Sequence, residues 1–262
     1  MTAVDGGSSF AERPRDGDGS LAGDWSLFEG RVFYRPHPAL RLGLGVGASR
    51  DGYRSDDLDR DPPLPAEVHQ AWVRLPVALM LHPHWGLTVQ GSLGTGTDGE
   101  ASARQGRQWQ VQGGPLYYRD DDLIIALLVN VSSRIGERPT IFPFPSLFWH
   151  FHDAWRLTVV DDIDNLSHLR YAVSEHLDLG VRLDVRFREA ALGGDRVLSD
   201  DHVAAALQAT WMPEGRGRWE ITPFVGAQLV RRLAVRDDAG EERWSLITRP
   251  APLAGLNLRA EF

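Results

Sequence analysis

From about residue 24 to the end, the chain runs as segments of period-two alternation, with no helical periodicity sustained beyond about ten residues. Leu40, Leu42, Leu44 and Val46 alternate with Arg41, Gly43, Gly45 and Gly47. The clearest segment is HLDLGVRLDVRFR, where Leu177, Leu179, Val181, Leu183, Val185 and Phe187 alternate with Asp178, Arg182, Asp184, Arg186 and Arg188. Successive side chains of a strand point to opposite faces, so each segment predicts a strand with one greasy and one wet face. The chain ends the same way, with Ala254, Leu256, Leu258, Ala260 and Phe262 on one side of LAGLNLRAEF.

The connectors alternate too. Short polar turns are predicted at 82–84, 119–122, 150–154, 174–176 and 213–218, and longer loops near 50–67, 95–107, 133–139, 161–167, 189–202 and 233–249. Trp85, Trp155 and Trp219 begin strands just after short turns, and Trp149 and Trp211 end strands just before them. All five fall on the apolar face at one end. Indole favours the headgroup layer, so their register with the turns predicts an aromatic girdle at a membrane interface.

Short turns at one end, long loops at the other and a wholly apolar second face predict an all-β, transmembrane, antiparallel up-and-down β-barrel. The segments from residue 39 onward give about 12 strands; DWSLFEGRVFYRP (24–36) would pair with an extra early strand to give about 14, the other even count. The alternative is a soluble all-β binding protein, a sandwich or lipocalin-like barrel whose apolar faces form its core. Residues 1–23 are rich in Gly, Asp and Ser and predict a flexible leader, leaving 24–262 as one barrel domain. The leader shows neither a basic nor an apolar signal region, so the expected outer-membrane address carries no signal peptide in this chain.

Composition narrows the chemistry. The mean hydropathy of -0.28 does not discriminate, because a membrane strand needs only about 9 to 11 alternating residues. All 28 basic side chains are arginine and the formal net charge is -8, which argues against nucleic acid, whose binding needs a basic stripe. Without cysteine there is neither a disulfide framework nor a thiolate ligand or nucleophile.

The C-terminal alternation ending on Phe262 resembles that of Gram-negative outer-membrane β-barrel proteins, and WRLTVVDDIDNLSHLRYAVSEHLDLGVRLDV is similar to the layout of uncharacterised proteobacterial barrels. The resemblance implies that Ala254, Leu256, Leu258, Ala260 and Phe262 form a signal read by the barrel-assembly machinery, with outer-membrane lipid as surroundings.

The wet face supplies the candidate lumen: Arg41, Arg74, Arg156, Arg170, Asp178, Arg182, Asp184, Arg186, Arg188, Arg259 and Glu261. Such a set can form a constriction selecting small anionic solutes, or a salt-bridged ladder filling a narrow barrel. The expected function is a non-enzymatic small diffusion channel or structural barrel without cofactor, catalytic residues or metal. The pairs His82/His84 and His150/His152 read as turn polarity, and the acidic runs 56–61 and 161–165 as solvated loops, because neither has Ca²⁺-loop spacing. No G-x-S-x-G elbow is present; Ser167–His168 and Asp200–Asp201–His202 lack an identifiable third partner. Pro143 and Pro145 remove ladder donors and predict an irregular or edge-like strand.

Overall fold

In the computed structural model the alternating segments are strands, and they close into a ring. The structure describes all residues except 1, 16–18, 57–62, 136, 161–165, 216–217, 238 and 262. The strands are β1 (Thr2–Glu12), β2 (Ser20–His37), β3 (Leu40–Asp56), β4 (Glu67–His82), β5 (Trp85–Thr97), β6 (Arg107–Asp120), β7 (Leu123–Arg134) and β8 (Glu137–His152). They continue as β9 (Trp155–Val159), β10 (Leu166–Ala172), β11 (Leu177–Leu192), β12 (Arg196–Trp211), β13 (Trp219–Arg236), β14 (Glu242–Ile247) and β15 (Ala251–Ala260).

Each strand from β1 to β13 pairs antiparallel with its sequence neighbours. β13 then pairs with β15 along its lower half and with β14 along its upper half, so those two segments share one position in the wall. The ring closes where β15 meets β1, from Thr2↔Ala260 to Ser9↔Leu253. It has 14 positions, the larger of the two expected counts. Closure pairs the terminal strands along Thr2–Ser9 and Leu253–Ala260 and so removes the open edge there, as hydrocarbon requires.

The extra strand lies in the segment expected to be a leader. β1 inserts between β2 and β15, with Ala3, Asp5, Gly7 and Ser9 inward in register with Glu29, Leu27, Trp25 and Gly23. Its poverty in apolar residues reflects its position rather than disorder. A Cβ on Gly7 would lie 2.6 Å from the Trp25 ring and 2.7 Å from the Ala254 carbonyl oxygen, so glycine makes room for an indole filling the lumen.

Two expected loops are also corrected. Residues 133–139 and 189–202 belong mostly to the hairpins β7–β8 and β11–β12, and the β11–β12 turn is tightened by Gly194 and Asp195 at φ 76° and 58°, a conformation glycine and aspartate tolerate. Both flanks of this hairpin, 189–192 and 197–200, are buried on both faces. The upper hairpin leaves the wall and crosses the barrel mouth: Ala191 bridges Thr97 of β5, and Gln70 and Gln108 donate to the Glu189 carbonyl at 3.1 and 2.7 Å. Beneath it sits an apolar cluster including Leu21, Tyr53, Leu192, Leu198, Leu233 and Trp244.

The main apolar set faces out. Leu75, Leu127, Leu207 and Val225 are each more than half exposed, as are many of their neighbours around the ring. A soluble protein rarely exposes contiguous apolar surface beyond a few hundred Å², which removes the sandwich and lipocalin-like alternative.

Candidate functional site

The register places ten of the eleven lumen candidates on the inner face: Arg41 and Arg74 through β3 and β4, Arg156 and Arg170 through β9 and β10, Asp178, Arg182, Asp184, Arg186 and Arg188 along β11, and Arg259 on β15. Glu261 lies beyond the end of β15, exposed, 3.4 Å from Arg259. The inner-face candidates separate into two groups, one almost wholly buried and one partly exposed.

At mid-depth, β11–β13 are tied across the lumen to β1–β3. Arg186 donates to Asp5 at 2.8 Å and lies 2.6 Å from Asp184; Arg182 is 3.4 Å from Asp184 and 3.7 Å from Asp5. Arg188 pairs with Asp51 of β3. Above them Arg231 donates to Asp200 at 2.9 and 2.7 Å and to Glu12 at 2.9 Å, while the Tyr53 hydroxyl donates to Asp200 at 2.9 Å. The rings of Trp25 and Phe224 lie 5.1 and 3.9 Å beneath the Arg186 and Arg182 guanidinium carbons. The two voids here are about 10 Å³ each, roughly one water. This side of the lumen is filled.

Asp5, Glu12, Asp51, Asp200 and Arg231 were not among the lumen candidates. Asp5 and Glu12 sit in the supposed leader and Asp200 in a supposed loop. The signal available for Asp5 was its place opposite Val4 in a short alternation that glycine and serine obscure.

The second group, Arg41, Arg74, Arg156, Arg170 and Arg259, forms a more open arginine vestibule whose side chains are partly exposed. Arg41 stacks 3.8 Å over Phe33, Arg74 lies 3.3 Å from Glu29, Arg156 pairs with Asp178, and Arg170 lies 3.1 Å from Glu220. In two of these pairs the arginine is the member that meets water: Arg74 and Arg156 side chains are 20% and 17% exposed, against 1% for Glu29 and 0% for Asp178.

The opposite wall is neutral. Gln90, Gln112 and Asn130 are buried, with Gln110 donating to Asn130 at 2.7 Å, and β7 and β8 add inward-facing Ala126, Leu128, Phe142, Phe144 and Phe148.

Outside, Trp85, Trp149, Trp155, Trp211 and Trp219 all face away from the lumen beside short turns. The structure adds Tyr117, Phe151 and Tyr171: Tyr117 lies 4.9 Å from Trp85, Tyr171 4.9 Å from Trp155 and Phe151 5.1 Å from Trp149. Of the C-terminal set, Ala254, Leu256, Leu258 and Ala260 face outward on β15, and Phe262 lies outside the described residues. An apolar outer band with an aromatic girdle on a closed sheet is a bilayer-facing surface.

The remaining motifs have local uses. His150 Nδ1 at the end of β8 lies 3.2 Å from the Asp122 carboxylate in the β6–β7 turn, and His152 Nδ1 accepts from the Ala154 amide at 3.2 Å within its own turn. The Ser167 hydroxyl accepts from the Val160 amide at 3.0 Å. Most of the acidic run 56–61 and all of 161–165 lie outside the described residues.

No known protein family matches the sequence, and no curated protein does. Among solved structures, the COG4313 outer membrane channel from Pseudomonas putida F1 superposes with a TM-score of 0.55 at 10% identity, over 100% of this chain and 94% of that one. The fold is that of an outer-membrane β-barrel channel. The TodX monoaromatic hydrocarbon channel, as its deltaS2 mutant, aligns at TM-score 0.49 and 8% identity over 100% of this chain and 89% of its own. The KdgM porin in complex with disordered oligogalacturonate aligns at TM-score 0.40 and 8% identity, over 100% and 99% respectively. With its bilayer-facing band, this barrel belongs in the bacterial outer membrane.

Proposed function

We propose that this outer-membrane barrel is a non-enzymatic channel of low conductance that favours small anionic solutes. One observation carries the reading: on the inner face, Arg74 and Arg156 meet water while their carboxylate partners Glu29 and Asp178 are buried. The arginines outnumber the carboxylates Glu29, Asp178 and Glu220 beside them and present a cationic surface, and fields inside a narrow, low-dielectric cavity are focused along it. The packed lattice deeper in the lumen accounts for the low conductance. The proposal also takes the five tryptophans as interface anchors and the C-terminal strand as the contact for the barrel-assembly machinery.

Reversal potential across a planar bilayer under a KCl gradient tests the channel reading. Small, anion-selective steps are expected, with selectivity reduced in Arg74→Gln. Electrically silent bilayers containing barrels shown to be folded by their heat-modifiable gel mobility would leave a structural barrel; cation selectivity would refute the vestibule's role.

A further inference from the structure

The inner face of β8–β10 brings two rungs of unlike chemistry together. On one rung His150 of β8, Arg156 of β9 and Arg170 of β10 stand side by side; on the next stand Phe148, Thr158 and His168. Adjacent strands lie about 4.8 Å apart and same-face neighbours along a strand about 6.7 Å apart, so these six side chains share one patch of wall. Phe148 and His150 meet edge to face, with ring centroids 5.0 Å apart. Arg170 reaches Glu220 of β13 at 3.1 Å, and Arg156 pairs with Asp178 of β11.

The patch has more donors than acceptors. Arg170 Nε, His168 Nδ1 and His150 Nε2 are buried without a hydrogen-bond partner among the described residues. Arg170 Nε is always a donor, and a histidine nitrogen becomes one when its ring carries that proton. A buried donor left without an acceptor is destabilising, so the patch gains from an acceptor brought to it. Charge points the same way. His168 lies in the fields of Arg156, Arg170, Arg182 and Arg259. Arg182 belongs to the packed lattice with Asp5 and Asp184. The other three arginines meet two enclosed carboxylates, Asp178 and Glu220, while Glu261 sits beyond the strand end, half exposed. Among the described residues, one positive charge is thereby in excess inside the barrel. The patch is also reachable: the Arg156 and Arg170 side chains are 17% and 12% exposed, and further along β8 inward-facing Phe142 is 41% exposed.

We infer that this patch binds a small aromatic monocarboxylic acid, with Arg156, Arg170 and His168 around the carboxylate and Phe148 against the ring. The inference rests on the channel reading above in one respect, that solute enters the lumen. A guanidinium fork matches a planar carboxylate. One excess charge balances a monoanion and leaves a dianion undercompensated. Phe148 offers an aromatic ring an offset or edge contact that an anion without a ring cannot use. Asp178 and Glu220 already hold the two guanidinium groups in place, so little order is lost when the ligand arrives.

The test uses the full chain refolded into lipid nanodiscs and para-fluorobenzoate followed by fluorine NMR. Trifluoroacetate serves as an anion without a ring, para-fluorobenzyl alcohol as a ring without charge, and empty nanodiscs correct for partition into lipid. Saturable broadening is expected for para-fluorobenzoate alone, with displacement by benzoate. Arg170→Gln should weaken binding about tenfold, the size of one charge-assisted hydrogen bond, and Glu220→Gln, which leaves Arg170 to the ligand, should tighten it. Phe148→Ala should weaken it roughly threefold. Absence of saturable binding would overturn the site, as would binding that neither Arg170→Gln nor Glu220→Gln changes. Displacement by trifluoroacetate or inorganic phosphate as readily as by benzoate would overturn it in favour of an unselective anion surface. If Arg170→Gln lacks the heat-modifiable mobility of a folded barrel, Glu220→Gln decides. The reversal potential separates this site from the channel reading: anion-selective current without para-fluorobenzoate binding removes the site alone, and binding by an electrically silent barrel removes the channel alone.

Discussion

The wall formed by β11–β13 and β1–β3 differs from the wall formed by β7–β10, although both show the same alternation to the lipid. The first is long-stranded and fills its side of the lumen with arginines and carboxylates that reach across to one another. The second is lined on β7 and β8 by Asn130, alanine, leucine and phenylalanine, and carries Arg156 and Arg170 on the short strands β9 and β10. The outer face of a membrane barrel has one solvent to satisfy and converges on one pattern, whereas the inner face can either pair charges into a plug or leave space, and each choice constrains the strands that carry it.

The largest way to break this comparison is to remove one member of the packed lattice. Arg231→Ala leaves Asp200 and Glu12 buried without their shared cation, so the urea unfolding free energy in vesicles should fall by about 3–5 kcal/mol. Gln90→Ala on the neutral wall should cost only about 1 kcal/mol in the same assay. Equal costs would mean the lattice contributes nothing special. Next, Leu183→Arg on the packed wall and Leu127→Arg outside β7 place a cation in the lipid and should each cost about 2–4 kcal/mol near the midplane; a large difference between them would show that the two walls do not share one membrane frame. The finest test lies within β8. Pro145→Ala should shift stability by less than about 1 kcal/mol, because it restores a donor on the side of β8 away from β7 and frees the unfolded backbone. The neighbouring Phe144→Pro removes a donor aimed at β7, as the His150 amide is in the same unshifted register, and should cost about 3 kcal/mol or more. A reversal of that order would put the donors of β8 on the opposite sides of the strand.

The period-two pattern carried much of this fold. Alternation sufficed for the outward face of β3–β8 and β11, the tryptophan register with the turns, and the inward direction of Arg41, Arg74, Arg156, Arg170, Arg182, Arg186 and Arg259, because side-chain direction in a strand is a local property. The pattern failed where tertiary context replaced local propensity. β1 is poor in apolar residues, and its Gly7 yields space to Trp25, so its sequence looks like a tail. Residues 189–202 look like a loop because the upper β11–β12 hairpin is enclosed by protein on both faces and needs no alternation toward lipid.

What the sequence determined by itself was the class of molecule, a closed antiparallel barrel with a lipid-facing apolar surface and an arginine-rich interior, and it pointed to Pro143 and Pro145 as an edge without saying of what. What only the tertiary structure decided was the partner of each charge, the 14 positions of the wall and the hairpin across the mouth. Facing in or out depends on the next residue along the chain, but which strands meet across a lumen depends on how the whole ring closes. Asp5 and Arg186 stand 181 positions apart, and no periodicity links them.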